Sequence, residues 1–91
     1  MNFSEILKLI RAAEGLSQSK MAQHVDIPIK TLQAYEQQIF EPSLSNLQKI
    51  AKQFPEYSLW LLTGQTNPKG GQISPALKAT NKQTAKAVFQ T

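Results

Sequence analysis

The stretch SQSKMAQHVDIPIKTLQAYEQ, residues 17–37, predicts two short helices joined by a tight turn, and it decides the fold. Ser17 suits the N-cap of the first helix, because its hydroxyl accepts a hydrogen bond from a backbone N–H of the first turn. Asp26 ends that helix, since Asp tolerates the left-handed conformation found after many helices. Pro28 suits the first turn of the second helix, where no backbone N–H is needed. Helices separated by about three residues cross steeply, as in a helix-turn-helix.

The second of these helices has two chemically different sides. Projected at about 100° per residue, one side carries an apolar and acidic set: Ile29, Leu32, Tyr35 and Glu36. The opposite side carries a mostly polar set: Lys30, Gln33, Ala34 and Gln37. Lys matches guanine O6 and N7, Gln matches adenine N6 and N7, and Ala fits a thymine methyl. This side therefore predicts contacts with base edges in a major groove, the alternative being an ordinary solvated face.

Three further helices are predicted around this pair. The first begins near Ser4, ends at Gly15, and has an apolar stripe of Phe3, Ile6, Leu7, Ile10 and Ala13. The fourth follows the cap Ser43 and has an apolar face of Leu44, Leu47, Ile50, Ala51 and Phe54. The fifth is short and carries Tyr57, Trp60, Leu61 and Leu62. The pattern predicts an all-α bundle of five helices.

These elements together resemble the lambda-repressor-like, Cro/CI-type helix-turn-helix family. The resemblance rests on Ser17-Gln18, Ala22, Asp26, Leu32, Tyr35-Glu36, Pro42-Ser43, Leu47, Ile50-Ala51 and the run WLLTG at 60–64. It covers about residues 3–64 and implies a five-helix DNA-binding domain with the helix-turn-helix at helices 2 and 3. Asp26 and Gln38 stand where the family usually has Gly, and Pro28 replaces the usual Ser or Thr cap.

The resemblance also implies roles for individual residues. In this family the first residues of the second motif helix touch bases, which by position assigns base contacts to Ile29, Lys30, Gln33 and Ala34. It assigns phosphate contacts to Gln18 and Gln37. It also brings the fifth helix, with Tyr57, Trp60 and Leu61, near a two-fold dimer contact, whereas in a monomer the Trp would complete the core.

Two expectations concern polar groups at other helix positions. The N-terminal end of the fourth helix can present backbone N–H groups to a phosphate, with Ser43 and Asn46 beside it, and simple N-capping is the alternative. In the resembling family an Arg at position 11 pairs with the acidic residue late in the recognition helix. We therefore predict an ion pair between Arg11 and Glu36, because an unpaired inward carboxylate is costly. Two separate solvated groups are the alternative.

Composition limits the remaining function classes. The chain has 91 residues, enough for one small core. It has no Cys, no transmembrane-length apolar run and no signal-peptide pattern, so we expect a cytoplasmic protein without a membrane partner. The single His24, the absence of metal-ligand spacing and the absence of a glycine-rich phosphate loop predict no enzyme, metal or cofactor.

The net charge of +4 is unevenly distributed. Six basic and six acidic residues balance up to Gly64, and the excess lies on Lys69, Lys78, Lys82 and Lys86. Residues 1–64 are predicted to be the DNA-binding domain, and Pro, Gly and Ser in residues 65–75 predict a flexible linker. Residues 76–91 form a basic tail, read either as a short helix or as the start of a longer region. A further protein partner through this tail or a missing C-terminal domain stays open.

The sequence thus predicts a regulator that binds double-stranded operator DNA as a homodimer, of the phage or prophage repressor type. One alternative is an antitoxin-type regulator that binds a toxin and its own operator. Another is a protein-interaction module whose polar helix face reads no bases.

Overall fold

Five α-helices and two short 3-10 helices make up residues 2–78, which are the residues that this computed structural model describes. The α-helices are α1 (Phe3–Ala13), α2 (Gln18–Val25), α3 (Ile29–Glu36), α4 (Leu44–Gln53) and α5 (Ser58–Thr63). The 3-10 turns are Pro55–Tyr57 and Pro68–Gly70. The predicted all-α fold with five helices is confirmed. Residues 75–78 are also helical, and the rest of the predicted tail helix lies outside the described residues.

Side-chain caps begin three of the helices. The Asn2 side chain accepts a hydrogen bond from the N–H of Glu5 at 2.9 Å. Ser17 and Ser43 accept from the backbone N–H three residues later, each at 3.2 Å. Pro28 differs from its predicted place, because it is the N-cap residue of α3 and provides no side-chain hydrogen bond. Without a backbone N–H or a polar side chain, Pro28 sets where α3 begins through its fixed φ alone.

The turn between α2 and α3 is closed by backbone hydrogen bonds. Asp26 has a φ of 58°, as predicted for the residue that ends α2. The N–H of Ile27 donates to the carbonyl of Ala22 at 3.0 Å, which is the bond expected of a left-handed helix ending. Lys49 Nζ donates to the Asp26 carbonyl at 3.0 Å. This lysine of α4 therefore holds the turn, a role that the sequence did not reveal.

The core lies where all five helices meet. Its buried apolar members are Ile6, Leu7, Ile10, Met21, Ala22, Val25, Ile27, Leu32, Tyr35, Ile50, Phe54, Tyr57, Trp60 and Leu61. Two predicted inward positions are wrong, since Ile29 and Leu44 are exposed. Each is the first residue of its helix, and Ile27 takes the inward place before α3. Packing at a helix start thus follows the path of the preceding turn rather than the helical period.

The chain after α5 folds back onto it. The side chain of Gln72 accepts from the N–H of Leu59 at 2.9 Å and donates to the carbonyl of Pro55 at 3.0 Å. The N–H of Ile73 donates to the carbonyl of Glu56 at 2.8 Å. These bonds satisfy backbone groups at both ends of the short turn before α5.

This return differs from the linker that composition predicts for residues 65–75. Pro and Gly are typical of linkers and of tight turns alike, and here they form a turn that docks by specific hydrogen bonds. Beyond it, Lys78 Nζ lies 2.8 Å from Glu14 Oε1 and 5.5 Å from the centre of the Tyr57 ring. Residues 72–78 are therefore part of the folded unit.

Candidate nucleic-acid interface

The side of α3 that faces away from the core carries the predicted base-contacting residues. Ile29 and Lys30 are exposed, and Gln33 and Ala34 are half-buried. Gln37, the residue that ends the helix, is exposed. Leu32, Tyr35 and Glu36 are buried on the other side, so the packing of α3 fixes which side reaches outward. The structure thus brings the four predicted base-contacting residues to one surface.

Glu36 is buried, and the guanidinium of Arg11 holds its carboxylate. Arg11 Nε lies 2.9 Å from Glu36 Oε2, and Nη2 lies 3.0 Å from Oε1. Two parallel bonds of this kind fix both the position and the orientation of the pair. Arg11 Nη1 also donates to the carbonyl of Leu16 at 3.2 Å, and the Ser4 hydroxyl donates to the Glu36 carbonyl at 2.6 Å. The end of α3 is therefore tied to α1 by polar bonds as well as by packing.

Gln18 continues this network to the outer surface of α3. Its Nε2 donates to Glu36 Oε1 at 3.3 Å, and its Oε1 accepts from Gln33 Nε2 at 3.4 Å. An amide group has two N–H donors and one carbonyl acceptor. After its bond to Gln18, Gln33 retains one donor and its acceptor, the pair that matches the N7 and N6 of adenine. The sequence placed both glutamines at the interface but did not reveal that they touch.

The start of α4 uses its polar groups within the protein. The Ser43 hydroxyl accepts the Asn46 N–H, which is the simple capping alternative. The Asn46 side-chain amide donates to the Tyr35 hydroxyl at 2.7 Å. A phosphate contact from these residues would use the earlier N–H groups of α4 or the second amide proton of Asn46. The bond to Tyr35 also joins α4 to α3.

The three residues predicted near a dimer contact lie inside the subunit. Tyr57 is fully buried, and Trp60 and Leu61 are buried. They face the core because the 3-10 turn before α5 directs this side of the helix inward. As an assignment of surface contacts the prediction is therefore wrong, and the exposed residue of α5 is Leu62.

Comparison with known proteins identifies the fold family. The profile of the helix-turn-helix family matches residues 7–61, which include α2, the turn and α3. The chain belongs to the lambda-repressor-like helix-turn-helix family. It is similar to Repressor protein C of Escherichia phage P2, with 38% identity over 76 residues that cover 81% of this chain and 77% of the phage protein. In this helix-turn-helix protein α2 is the supporting helix and α3 is the recognition helix.

Two further searches of the described residues bear on other functions. Across residues 2–78, no group of three His, Asp or Glu side chains is arranged to hold a metal ion. None of the described helices has the length and apolarity needed to cross a membrane. His24 is exposed on α2, with its ring 5.2 Å from that of Phe54.

Proposed function

We propose that this helix-turn-helix protein is a transcriptional repressor that occupies a two-fold symmetric operator as a homodimer. Membership of a DNA-binding family supports the DNA partner, and the similarity to a phage protein named as a repressor supports repression. A symmetric dimer would place two recognition helices about one helical turn of DNA apart. Operator occupancy would then exclude a competing protein from the same DNA.

One observation carries the base-reading part of this proposal. A continuous set of bonds runs from Arg11 through Glu36 and Gln18 to Gln33. Because the first two members are anchored in the folded unit, the Gln33 amide has a defined position before DNA arrives. Preorganised polar groups lose less conformational entropy on binding. Such a group discriminates between base pairs better than a mobile one of the same type.

The recognition helix would use its residues in different ways. Lys30 would donate to guanine O6 and N7, and Gln33 would pair with an adenine edge. Ile29 and Ala34 would contact thymine methyl groups, because apolar side chains favour them. Gln18 and Gln37 would bind phosphates on either side of the groove. Such phosphate contacts set the register of the protein on the duplex.

The start of α4 would supply further phosphate contacts through Ser43 and Asn46. Up to Gly64 the acidic and basic residues balance, so few phosphates would be neutralised by this part of the chain. The number of released counterions sets the salt dependence of binding. We therefore expect a shallower dependence of affinity on salt than for a strongly basic DNA-binding domain.

The first test is selection of bound sequences from a random duplex pool at a fixed salt concentration. The proposal predicts a conserved core with two-fold symmetry. Lys30→Ala and Gln33→Ala should each lose about 1 to 3 kcal/mol of affinity at particular base pairs, with the fold intact. Gln53→Ala, an exposed change at the end of α4, is the matched control. Equal binding of all duplexes, or unchanged affinity in both α3 variants, would favour the protein-interaction alternative.

A further inference from the structure

An apolar groove lies beside the recognition helix. Three of its border residues, Ile39, Phe40 and Leu62, are 59%, 64% and 64% exposed. They come from the α3–α4 loop and from α5, and they surround a cavity of about 510 Å³. Its lining also includes the buried or half-buried rings and aliphatic chains of Phe3, Tyr35, Leu47 and Leu61. Contiguous exposed apolar surface of this kind marks an interaction site in soluble proteins.

The backbone makes the exposure of Ile39 unusual. α2 and α3 end alike, with a left-handed residue followed by an isoleucine whose N–H donates to a carbonyl five residues earlier. In this ending the isoleucine normally packs against the helix. Ile27, after α2, is 3% exposed, whereas Ile39, after α3, is 59% exposed. The same local geometry thus gives one packed and one unpacked side chain.

We propose that this groove is the surface through which two copies of the chain pair, an inference that rests on the operator-binding function proposed above. Leu44, which is 70% exposed, lies two residues after Pro42 of the groove lining and extends the surface. Four such side chains offer on the order of 500 Å² of exposed area per copy, or about 1,000 Å² in a symmetric pair. That total reaches the lower limit for a specific protein interface.

The shape of the groove fits a second copy. A two-fold contact requires one surface to supply both the projecting side chains and the hollow that receives them. Here Phe40 and Leu62 project beside a hollow whose lining includes Phe3 and Leu61. A partner bound at this site also lies next to α3, because Ile39 is only three residues past Glu36. The second copy would therefore bring its own recognition helix to the same side of a duplex.

The charge of the groove argues against DNA as its occupant. Glu41 is the charged residue in its lining, and no Lys or Arg of the described residues lines it. Phosphates are bound by cationic side chains and helix N-termini. Apolar burial is the main attraction that this surface can offer.

The test uses the full chain with Phe40→Glu and Leu62→Glu, since both side chains are exposed and the changes leave the core intact. Across a two-fold axis each change places like charges near one another. We expect the parent to sediment as a dimer at about 0.1 mM, and each variant to raise the dimer dissociation constant at least tenfold. Leu9→Glu, at an exposed apolar position of α1 outside the groove, is the matched control and should dimerise as the parent does. Circular dichroism checks the fold of each variant.

DNA binding separates this inference from the proposed function. Phe40→Glu should weaken binding to a full two-fold site and leave binding to an isolated half-site unchanged, whereas Lys30→Ala should weaken both. A parent that stays monomeric, or unchanged dimerisation in both groove variants, overturns the inference. Equal loss on half-site and full site in Phe40→Glu also overturns it, because the groove would then contact DNA. If copies pair through the groove but prefer no duplex sequence, the interface stands and the operator function fails.

Discussion

Arg11 and Glu36 join α1 to α3 through two parallel hydrogen bonds, with the Glu36 side chain 3% exposed and the Arg11 side chain 25% exposed. The pair fixes the C-terminal half of the recognition helix on its support. Because Gln18 bonds to the same carboxylate and also to Gln33, the outer surface of α3 depends on this pair.

Arg11→Ala should lower the free energy of unfolding by about 3 kcal/mol, because it leaves the Glu36 carboxylate buried without its charge partner. Thermal or denaturant unfolding measures the change. Lys20→Ala, which removes an exposed cation of α2, is the control and should stay within about 0.5 kcal/mol. An Arg11→Ala chain as stable as the parent would show that the pair contributes nothing.

Gln38→Gly should raise the free energy of unfolding by about 0.5 to 1 kcal/mol. Gln38 has a φ of 63°, a left-handed conformation that glycine adopts without the steric cost of a Cβ. Asp26→Gly should gain less, since Asp tolerates this region better. Gln48→Gly, inside α4, is the opposite control and should lose about 1 kcal/mol. A loss of stability in Gln38→Gly would refute the assignment of strain to this residue.

Gln72→Ala should destabilise the chain by about 1 to 2 kcal/mol, because its side chain bonds to backbone groups of Leu59 and Pro55. Chemical denaturation of the full chain tests this value. Gln65→Ala, an exposed change in the same predicted linker, should have almost no effect. If both variants were equally stable, residues 65–75 would behave as the linker that composition predicts.

Stability should fall at alkaline pH. Burial raises the pKa of the Tyr57 phenol, and a hydrogen bond to Glu14 raises the pKa of the Lys78 ammonium. Both groups hold their protons more tightly in the folded state, so their stabilisation is complete below the unfolded pKa values. It is lost as the pH rises through the higher folded values. Melting temperatures should therefore be nearly constant from about pH 8 to 9 and decline above about pH 10.

The double variant Tyr57→Phe with Lys78→Met isolates this effect, since neither new side chain titrates. Its melting temperature should decline less than that of the parent over the same alkaline range. Identical alkaline profiles for parent and double variant would contradict the assignment.

Local chemistry made much of the fold predictable. Ser17 and Ser43 cap helices and Asp26 takes a left-handed conformation, because each of these preferences depends on a few neighbouring residues. The outward set on α3 followed from the helical period once Leu32 and Tyr35 were assigned to the core. The prediction failed for Ile29 and Leu44, where the preceding turn directs the first helical residue outward.

The sequence by itself determined the helices, their caps, the helix-turn-helix and the residues that α3 presents, since these follow from short-range backbone preferences and apolar periodicity. Only the tertiary structure decided that Gln18 links Glu36 to Gln33, that Gln72 and Lys78 bind the folded unit, and that Ile39 and Phe40 stay exposed. Those contacts join residues distant in the chain. They depend on how the helices pack in three dimensions, which no local pattern encodes.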